Sequence, residues 1–335
     1  MTIQKRILVI GATGAMGQYL VPLLAKQGHH VDAVSLDDVS DSIPNVTYIK
    51  ANAKDRSVYA ELLGRHYDGV VDFLIFNTSE LPFYLPTALQ NTGHYIYLAS
   101  YRVYDNKEVP IRETSPRCFE TADDLWFRYS DDYSIYKARG EEMLKGSGYT
   151  NWTSIRPAIT YSRMRYQLVT LEAPLTVGRA FRNKACILPE EARNVQGTLS
   201  WAGNAAQMIA GLLFNDKALR ECFTISTSEH HTWGEIADYY HDICGLRSYW
   251  VPKEDYLSVW APGPYNHHAR WQLDYDRLFT RVIDNSKVLS VTGLRQEDFM
   301  PLYDGLKHEI ARCPKDFPFA ESPRMDDYIA AHGLE

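Results

Sequence analysis

Residues 7–24 read Ile7-Leu8-Val9-Ile10-Gly11-Ala12-Thr13-Gly14-Ala15-Met16-Gly17-Gln18-Tyr19-Leu20-Val21-Pro22-Leu23-Leu24. A short apolar run that ends abruptly in glycine predicts a buried parallel strand, and Met16, Leu20, Leu23 and Leu24 recur at helical spacing. The stretch therefore predicts strand, glycine turn, helix. At such a joint Gly11 allows the sharp turn, Gly14 close approach of a ligand to the backbone, and Gly17 close packing of helix on strand. The helix N-terminus is left free for a pyrophosphate.

The same alternation continues down the chain. Val31 to Leu36, Val46 to Lys50, Gly69 to Phe76, Tyr95 to Ala99 and Trp152 to Pro157 predict five more strands, with helices over about Arg56 to Leu63, Pro82 to Asn91 and Asp131 to Gly146. Near-continuous apolar strands alternating with helices predict a parallel sheet covered on both faces. Beyond Arg156-Pro157 the alternation is lost. There the spacing predicts helices over Leu171 to Phe181 and Ala205 to Phe214, a strand over Cys222 to Ser226 returning to the sheet, and a Thr232-Trp233-Gly234-Glu235 capping box opening a helix to about Cys244. The expected architecture is α/β: a Rossmann-type doubly wound parallel sheet over 1–162, with 196–228 returning to it. Residues 163–195 and 229–335 form a smaller C-terminal substrate-binding cap, in which Pro252 to Arg281 faces the substrate.

Composition narrows the function. With 335 residues, 45% hydrophobic and 23% charged, the chain has the balance of an ordinary globular enzyme. A net charge of −7 speaks against general affinity for nucleic acid or anionic membrane. Five scattered cysteines without a C-x-x-C pair predict a reduced, cytoplasmic setting. No stretch approaches the roughly 20 apolar residues of a membrane span, and the N-terminus runs straight into a strand, which predicts no signal peptide. The adjacent histidines His29-His30, His230-His231 and His267-His268 lack matching carboxylate spacing, so no metal site is expected.

The strongest chemical signal after the glycines is Tyr133 one helical turn before Lys137, with Ser100 at the end of the preceding strand. A phenol titrates near pH 10, but an adjacent ammonium and a cationic nicotinamide would both stabilise the phenolate. Tyr133 could then exchange a proton with a substrate oxygen that Ser100 orients, while hydride moves to or from the nicotinamide. The second strand ends Ser35-Leu36-Asp37-Asp38 without an arginine, which favours NAD over NADP. Arg163, Arg165, Arg179 and Arg182 are candidates for holding a phosphate or carboxylate in the cap, with surface charge as the alternative. Trp126, Trp201, Trp250, Trp260 and Trp271 are candidates for stacking, with packing as the alternative. The 23 tyrosines have no explanation at this level.

Together, Gly11-x-x-Gly14-x-x-Gly17, Ser100 with Val103-Tyr104, Tyr133-x-x-x-Lys137 with Glu141, Arg156-Pro157 with Tyr161, and Asp284-Asn285-Ser286-Lys287 resemble the extended short-chain dehydrogenase/reductase superfamily, NAD-dependent epimerase/dehydratase family. The resemblance covers nearly the whole chain and is weakest in the cap. It implies Ser100, Tyr133 and Lys137 as catalytic residues and Gly11, Thr13, Gly14, Ala15, Met16, Gly17, Ser35, Asp37, Asn52, Asn77, Tyr133, Lys137 and Pro157 as cofactor-binding, with Lys137 on the cofactor ribose. It also implies a homodimer. The expected function is NAD(P)-dependent hydride transfer at a secondary alcohol or ketone of a sugar-like or nucleotide-linked substrate. The departures bear on the substrate: Ile159 stands where the family has an asparagine, Asn204 where it has an aspartate, Ala51-Asn52 where it has Gly-Asp, and Phe73 to Asn77 where it has a His-x-Ala strand end. The alternatives are simple oxidation or reduction of a non-sugar substrate, and a non-catalytic dinucleotide- or RNA-binding protein like the plant plastid RNA-binding relatives of the superfamily.

Overall fold

The computed structural model describes residues 3–263 and 266–334. Its centre is β1 (Arg6–Ile10), followed by α1 (Gly17–Lys26), β2 (His30–Ser35), β3 (Val46–Lys50), α2 (Arg56–Leu63), β4 (Tyr67–Asp72), α3 (Leu81–Asn91), β5 (Thr92–Leu98), α4 (Tyr133–Gly146), β6 (Trp152–Pro157), α5 (Ala202–Leu212), β7 (Glu221–Ile225) and α6 (Trp233–Cys244). The seven strands form one parallel sheet in the order β7-β6-β5-β4-β1-β2-β3. The order reverses between β1 and β4, so a crevice opens above their carboxyl ends.

Period-two alternation divides the core. Ile7 and Val9 of β1 pack with Leu20 and Leu24 of α1 and Met208 and Ile209 of α5, whereas Leu8 and Ile10 pack with Leu62 of α2 and Leu85 of α3 on the other face. A third cluster joins the cap to the loops after β5 and β6, with Tyr101, Tyr161, Ile187, Trp233 and Leu306 among its buried members. Many tyrosines fill these interiors with their hydroxyls satisfied: Tyr67 donates to Asp32 at 2.7 Å, Tyr59 to Asp72 at 2.8 Å, and Tyr240 to the Gln167 carbonyl at 3.1 Å. These three combine large apolar burial with one paired polar tip, whereas the buried Tyr97 hydroxyl has no partner among the described residues.

Two expectations need correction. The fourth strand stops at Asp72 rather than Phe76, because the buried Asp72 carboxylate accepts the Leu74 N–H at 2.9 Å and turns the chain out of the sheet. The expected helix over Leu171 to Phe181 is instead two short turns, Ala173–Leu175 and Val177–Ala180. The break is at Thr176, where the backbone leaves the helical region at φ −112°, ψ −97°. The main sheet gains the strand that Cys222 to Ser226 suggested, as β7. The Thr232 capping box forms, with Glu235 bonding back to the Thr232 amide at 2.7 Å. Of the stretch Pro252 to Arg281, Pro264 and Tyr265 lie outside the described residues; the remainder holds the helices Lys253–Trp260 and His267–Gln272. Among the described residues no helix is long and apolar enough to cross a membrane.

Candidate active site

The turn after β1 is shaped by its glycines. Gly11 sits at φ +82°, a conformation that only glycine adopts cheaply, and its amide donates to the Val34 carbonyl of β2 at 2.9 Å. A Cβ on Gly17 would overlap the Gly11 and Ala12 carbonyl oxygens, so the first turn of α1 presses directly on the strand end. Ala15 and Met16 line the adjoining cavity, and their amides donate no hydrogen bond among the described residues. Free N–H groups at a helix start next to a glycine cradle fit a pyrophosphate.

That cavity, about 400 Å³, continues from the glycine turn across the end of β5 to Ser100, Tyr133 and Pro157. Ser100 stands two residues beyond β5 in extended geometry, and its Oγ accepts the Arg102 amide at 3.2 Å, opening a short turn over Tyr101–Val103. Tyr133 and Lys137 are placed by α4, whose N-cap Asp132 accepts from the Ser134 amide at 3.1 Å. The helix comes close to β5 because Gly140 leaves room for Tyr97; a Cβ there would overlap the phenol oxygen. A buried carboxylate anchors the same helix to β6: Glu141 takes Arg156 Nε and Nη2, each at 2.8 Å, and the Ser154 hydroxyl at 2.8 Å.

Burial raises the Tyr133 pKa, and the Arg102 charge followed by the Ser100 hydroxyl pull it back. The Arg102 guanidinium lies 5.0 Å from the Tyr133 ring centre, and the Lys137 ammonium 5.7 Å. Lys137 is fully buried, donates to the Leu98 carbonyl at 2.5 Å, and has its pKa lowered to about 7 by burial, with Asp72 opposing.

The expected site residues thus fall into three groups. Gly11, Gly14, Ala15, Met16, Gly17, Ser100, Tyr133 and Pro157 line one cavity. Thr13, Ser35 and Asp37 gather at the tip of β2, where the Thr13 hydroxyl donates to Asp37 at 2.6 Å and Ser35 to the Asp37 carbonyl at 3.3 Å. Asn52, Asn77 and Lys137 are not among the cavity-lining residues: Asn52 accepts the Lys54 amide, and Asn77 accepts the Glu80 amide, each at 3.1 Å. Of the cap arginines Arg165 lines the cavity, whereas Arg179 is buried against Asp326 and Arg182 donates to the Phe319 carbonyl. None of the five candidate tryptophans lines it; Trp271 packs on Phe127, and Trp201 on Tyr19. Sequence reasoning missed Arg102 and Arg277 as lining residues. Arg102 was within reach, standing two positions after Ser100, whereas Arg277 enters from a distant turn that no local pattern marks. Among the described residues no group of three metal-ligating side chains assembles.

The model of the NmrA-like family matches residues 3–82 of the chain. The chloroplast stem-loop binding protein of 41 kDa b of Arabidopsis thaliana is 28% identical over 252 residues, 70% of this chain. The match spans 62% of that protein's length. Among solved structures, the UDP-glucose 4-epimerase of Thermus thermophilus in complex with NAD superposes with a TM-score of 0.66 at 16% identity, covering 91% of this chain and 98% of that one. The UDP-glucose 4-epimerase of Thermotoga maritima with UDP-glucose gives a TM-score of 0.68 at 16% identity, covering 91% and 97%. An epimerase from Methanothermobacter thermautotrophicus gives 0.68 at 15%, covering 92% and 91%. The chain thus shares the fold of these epimerases over more than nine tenths of its length.

Proposed function

We propose that the chain binds NAD(H) along the glycine turn and catalyses hydride transfer at a secondary alcohol or ketone of a sugar-like or nucleotide-linked substrate. The observation that carries this reading is the single cavity joining the glycine turn to Ser100 and Tyr133. The Ala15 and Met16 amides would hold the pyrophosphate, and Asp37, beside Thr13, the adenosine ribose. Bound NAD supplies the hydride acceptor or donor. Tyr133 takes the proton from the substrate hydroxyl or returns it to the carbonyl oxygen, and Ser100 hydrogen-bonds the same oxygen. Lys137 acts from beneath the ring, as a charge whose protonation near neutral pH follows its lowered pKa. In this reading 1–162 with 196–228 is the dinucleotide-binding unit and 163–195 with 229–335 the substrate cap.

Titration with NADH and NADPH, followed by nicotinamide reduction with NAD and a panel of secondary alcohols, hydroxy acids and sugar nucleotides, tests the proposal. Tyr133→Phe is expected to keep NADH binding and to lose turnover by a factor of about 10² to 10⁴. A second reading, RNA binding, is favoured by the similarity to the stem-loop binding protein. A chain that retains a stem-loop RNA and binds neither dinucleotide would replace the enzyme reading with that one.

A further inference from the structure

Charge around the substrate end of the cavity is unbalanced. Arg102, Arg165 and Arg277 line it beside Ser100 and Tyr133, and Glu172 is the only carboxylate among its described lining residues. Arg277 is 4% exposed; it donates Nε to the Val169 carbonyl at 2.7 Å and Nη1 to the Tyr101 hydroxyl at 3.1 Å and to Asp276. Its Nη2 has no hydrogen-bond acceptor among the described residues. Asp276 is fully buried and shared, facing Arg277, Arg281 at 3.3 Å and Arg102 at 3.4 Å.

Arg102 is held loosely. Its other carboxylate, Asp132, stands 3.6 Å away and also faces His268 while capping α4, and the buried Arg102 Nε has no hydrogen-bond partner. Arg165 makes no ion pair among the described residues, and its one side-chain hydrogen bond there goes from Nη1 to the Thr160 hydroxyl at 3.5 Å. Glu172 is hydrogen-bonded to Gln167 rather than paired with an arginine. Four guanidinium groups therefore stand among three carboxylates, and of the cavity-lining arginines Arg165 is left without an ion pair and Arg277 Nη2 without an acceptor among the described residues. An unpaired donor on the buried Arg277 is costly and a bound anion removes that cost, while the exposed Arg165 adds a second, solvated cation at the mouth of the same cavity.

We infer that the substrate carries a compact anionic group, a carboxylate or a phosphate monoester, which docks on Arg165 and the free Nη2 of Arg277 while its secondary alcohol or ketone meets Tyr133. This inference rests on the reading of the Tyr133 end as the substrate site and adds a subsite separate from the glycine turn that faces the pyrophosphate.

The test is calorimetric titration of the full chain with malonate, with inorganic phosphate and with neutral malonamide, at matched ionic strength, with and without saturating NADH. Saturable binding of at least one anion, none of malonamide, and a loss of about tenfold or more in Arg165→Gln with unchanged NADH affinity is expected. Malonate alone assigns the carboxylate, phosphate alone the monoester. Arg165 is exposed and without an ion pair among the described residues, so the variant is expected to melt with the parent, and the melting curve checks this. Failure of both anions to bind, or equal anion affinity in Arg165→Gln, overturns the subsite while NADH binding leaves the dinucleotide reading standing. Failure of NADH to bind, with anion binding intact, removes that reading and keeps the subsite.

Discussion

Lys137→Met should make the protein more stable at pH 7 and less stable at pH 10.5. The Lys137 amine is fully buried between the Tyr97 and Tyr133 rings, at 5.5 and 5.7 Å from their centres, and burial lowers its pKa to about 7. In the unfolded chain a lysine titrates at about 10.4. Between these values the unfolded chain binds a proton that the folded chain does not, so stability rises with pH by up to about 1.4 kcal/mol per unit. At pH 7 the wild type therefore carries a cost of about 4 kcal/mol that is gone once the unfolded lysine is also neutral. Methionine keeps the length of the side chain and has no charge, but it forfeits the hydrogen bond to the Leu98 carbonyl, worth about 1 to 3 kcal/mol if that oxygen is left unsatisfied. The difference is a gain of roughly 1 to 3 kcal/mol at pH 7 and a loss of similar size at pH 10.5. Urea unfolding of both proteins across this range, read by tryptophan fluorescence, measures it, because groups common to the two chains cancel. A difference that stays constant with pH would refute the buried, neutralised amine. The proposed function adds that the stabilised variant is inactive, since the lysine's cost is retained for its charge under the phenol ring.

Gly17→Ala should lower the melting temperature and abolish detectable NADH binding, because the new methyl would overlap the Gly11 and Ala12 carbonyl oxygens; a variant that binds NADH like the parent contradicts the cradle. Glu141→Gln should cost about 3 to 5 kcal/mol at pH 7 in urea unfolding, by leaving the buried Arg156 charge without its partner. Burial pushes the Glu141 carboxyl up, but Arg156, Ser154 and Arg117 together hold it below its ordinary value. Its contribution is therefore complete above the unfolded pKa of about 4.3 and is lost as pH falls through the folded one, so the variant should lack part of the parent's acid sensitivity. Asp37→Ala, which removes the acceptor of the Thr13 hydroxyl, should weaken NADH binding more than NADPH binding in parallel titrations.

What the sequence made legible follows from how local each cause is. The glycine turn could be read because a positive φ at Gly11 and a close approach at Gly17 are backbone demands that few other residues meet. The sheet could be read because strands buried on both faces leave continuous apolar runs. The same rule misled at Phe73 to Phe76, where apolarity persisted beyond the strand. What ends the strand is Asp72, which finds its partners in Tyr59 and Tyr95 of other elements. Likewise Leu171, Ala173 and Val177 are buried because the cap encloses that segment from several sides, and burial from several sides imitates a helical stripe.

The site shows the same division at the level of single side chains. Spacing placed Tyr133 and Lys137 on one face of α4, yet spacing cannot say how far along that face a flexible side chain finds its acceptor. The Leu98 carbonyl decides it for Lys137, drawing the ammonium behind the phenol ring instead of into the cavity. The position that faces the cavity next to Tyr133 is taken by Arg102, which Asp276 and Asp132 hold from residues far apart in the chain. A cation in the cavity wall differs from one beneath the ring, because it can touch the substrate as well as the tyrosine. Of the departures from the family pattern, Ile159 lines the cavity with Arg102, Arg165 and Arg277, and Phe73 lines it beside Gly11, whereas Asn204 is bonded to the Met300 backbone and Asn52 and Asn77 stand outside it. The arginine wall is assembled by tertiary contacts from residues far apart in the chain, beyond the reach of any motif.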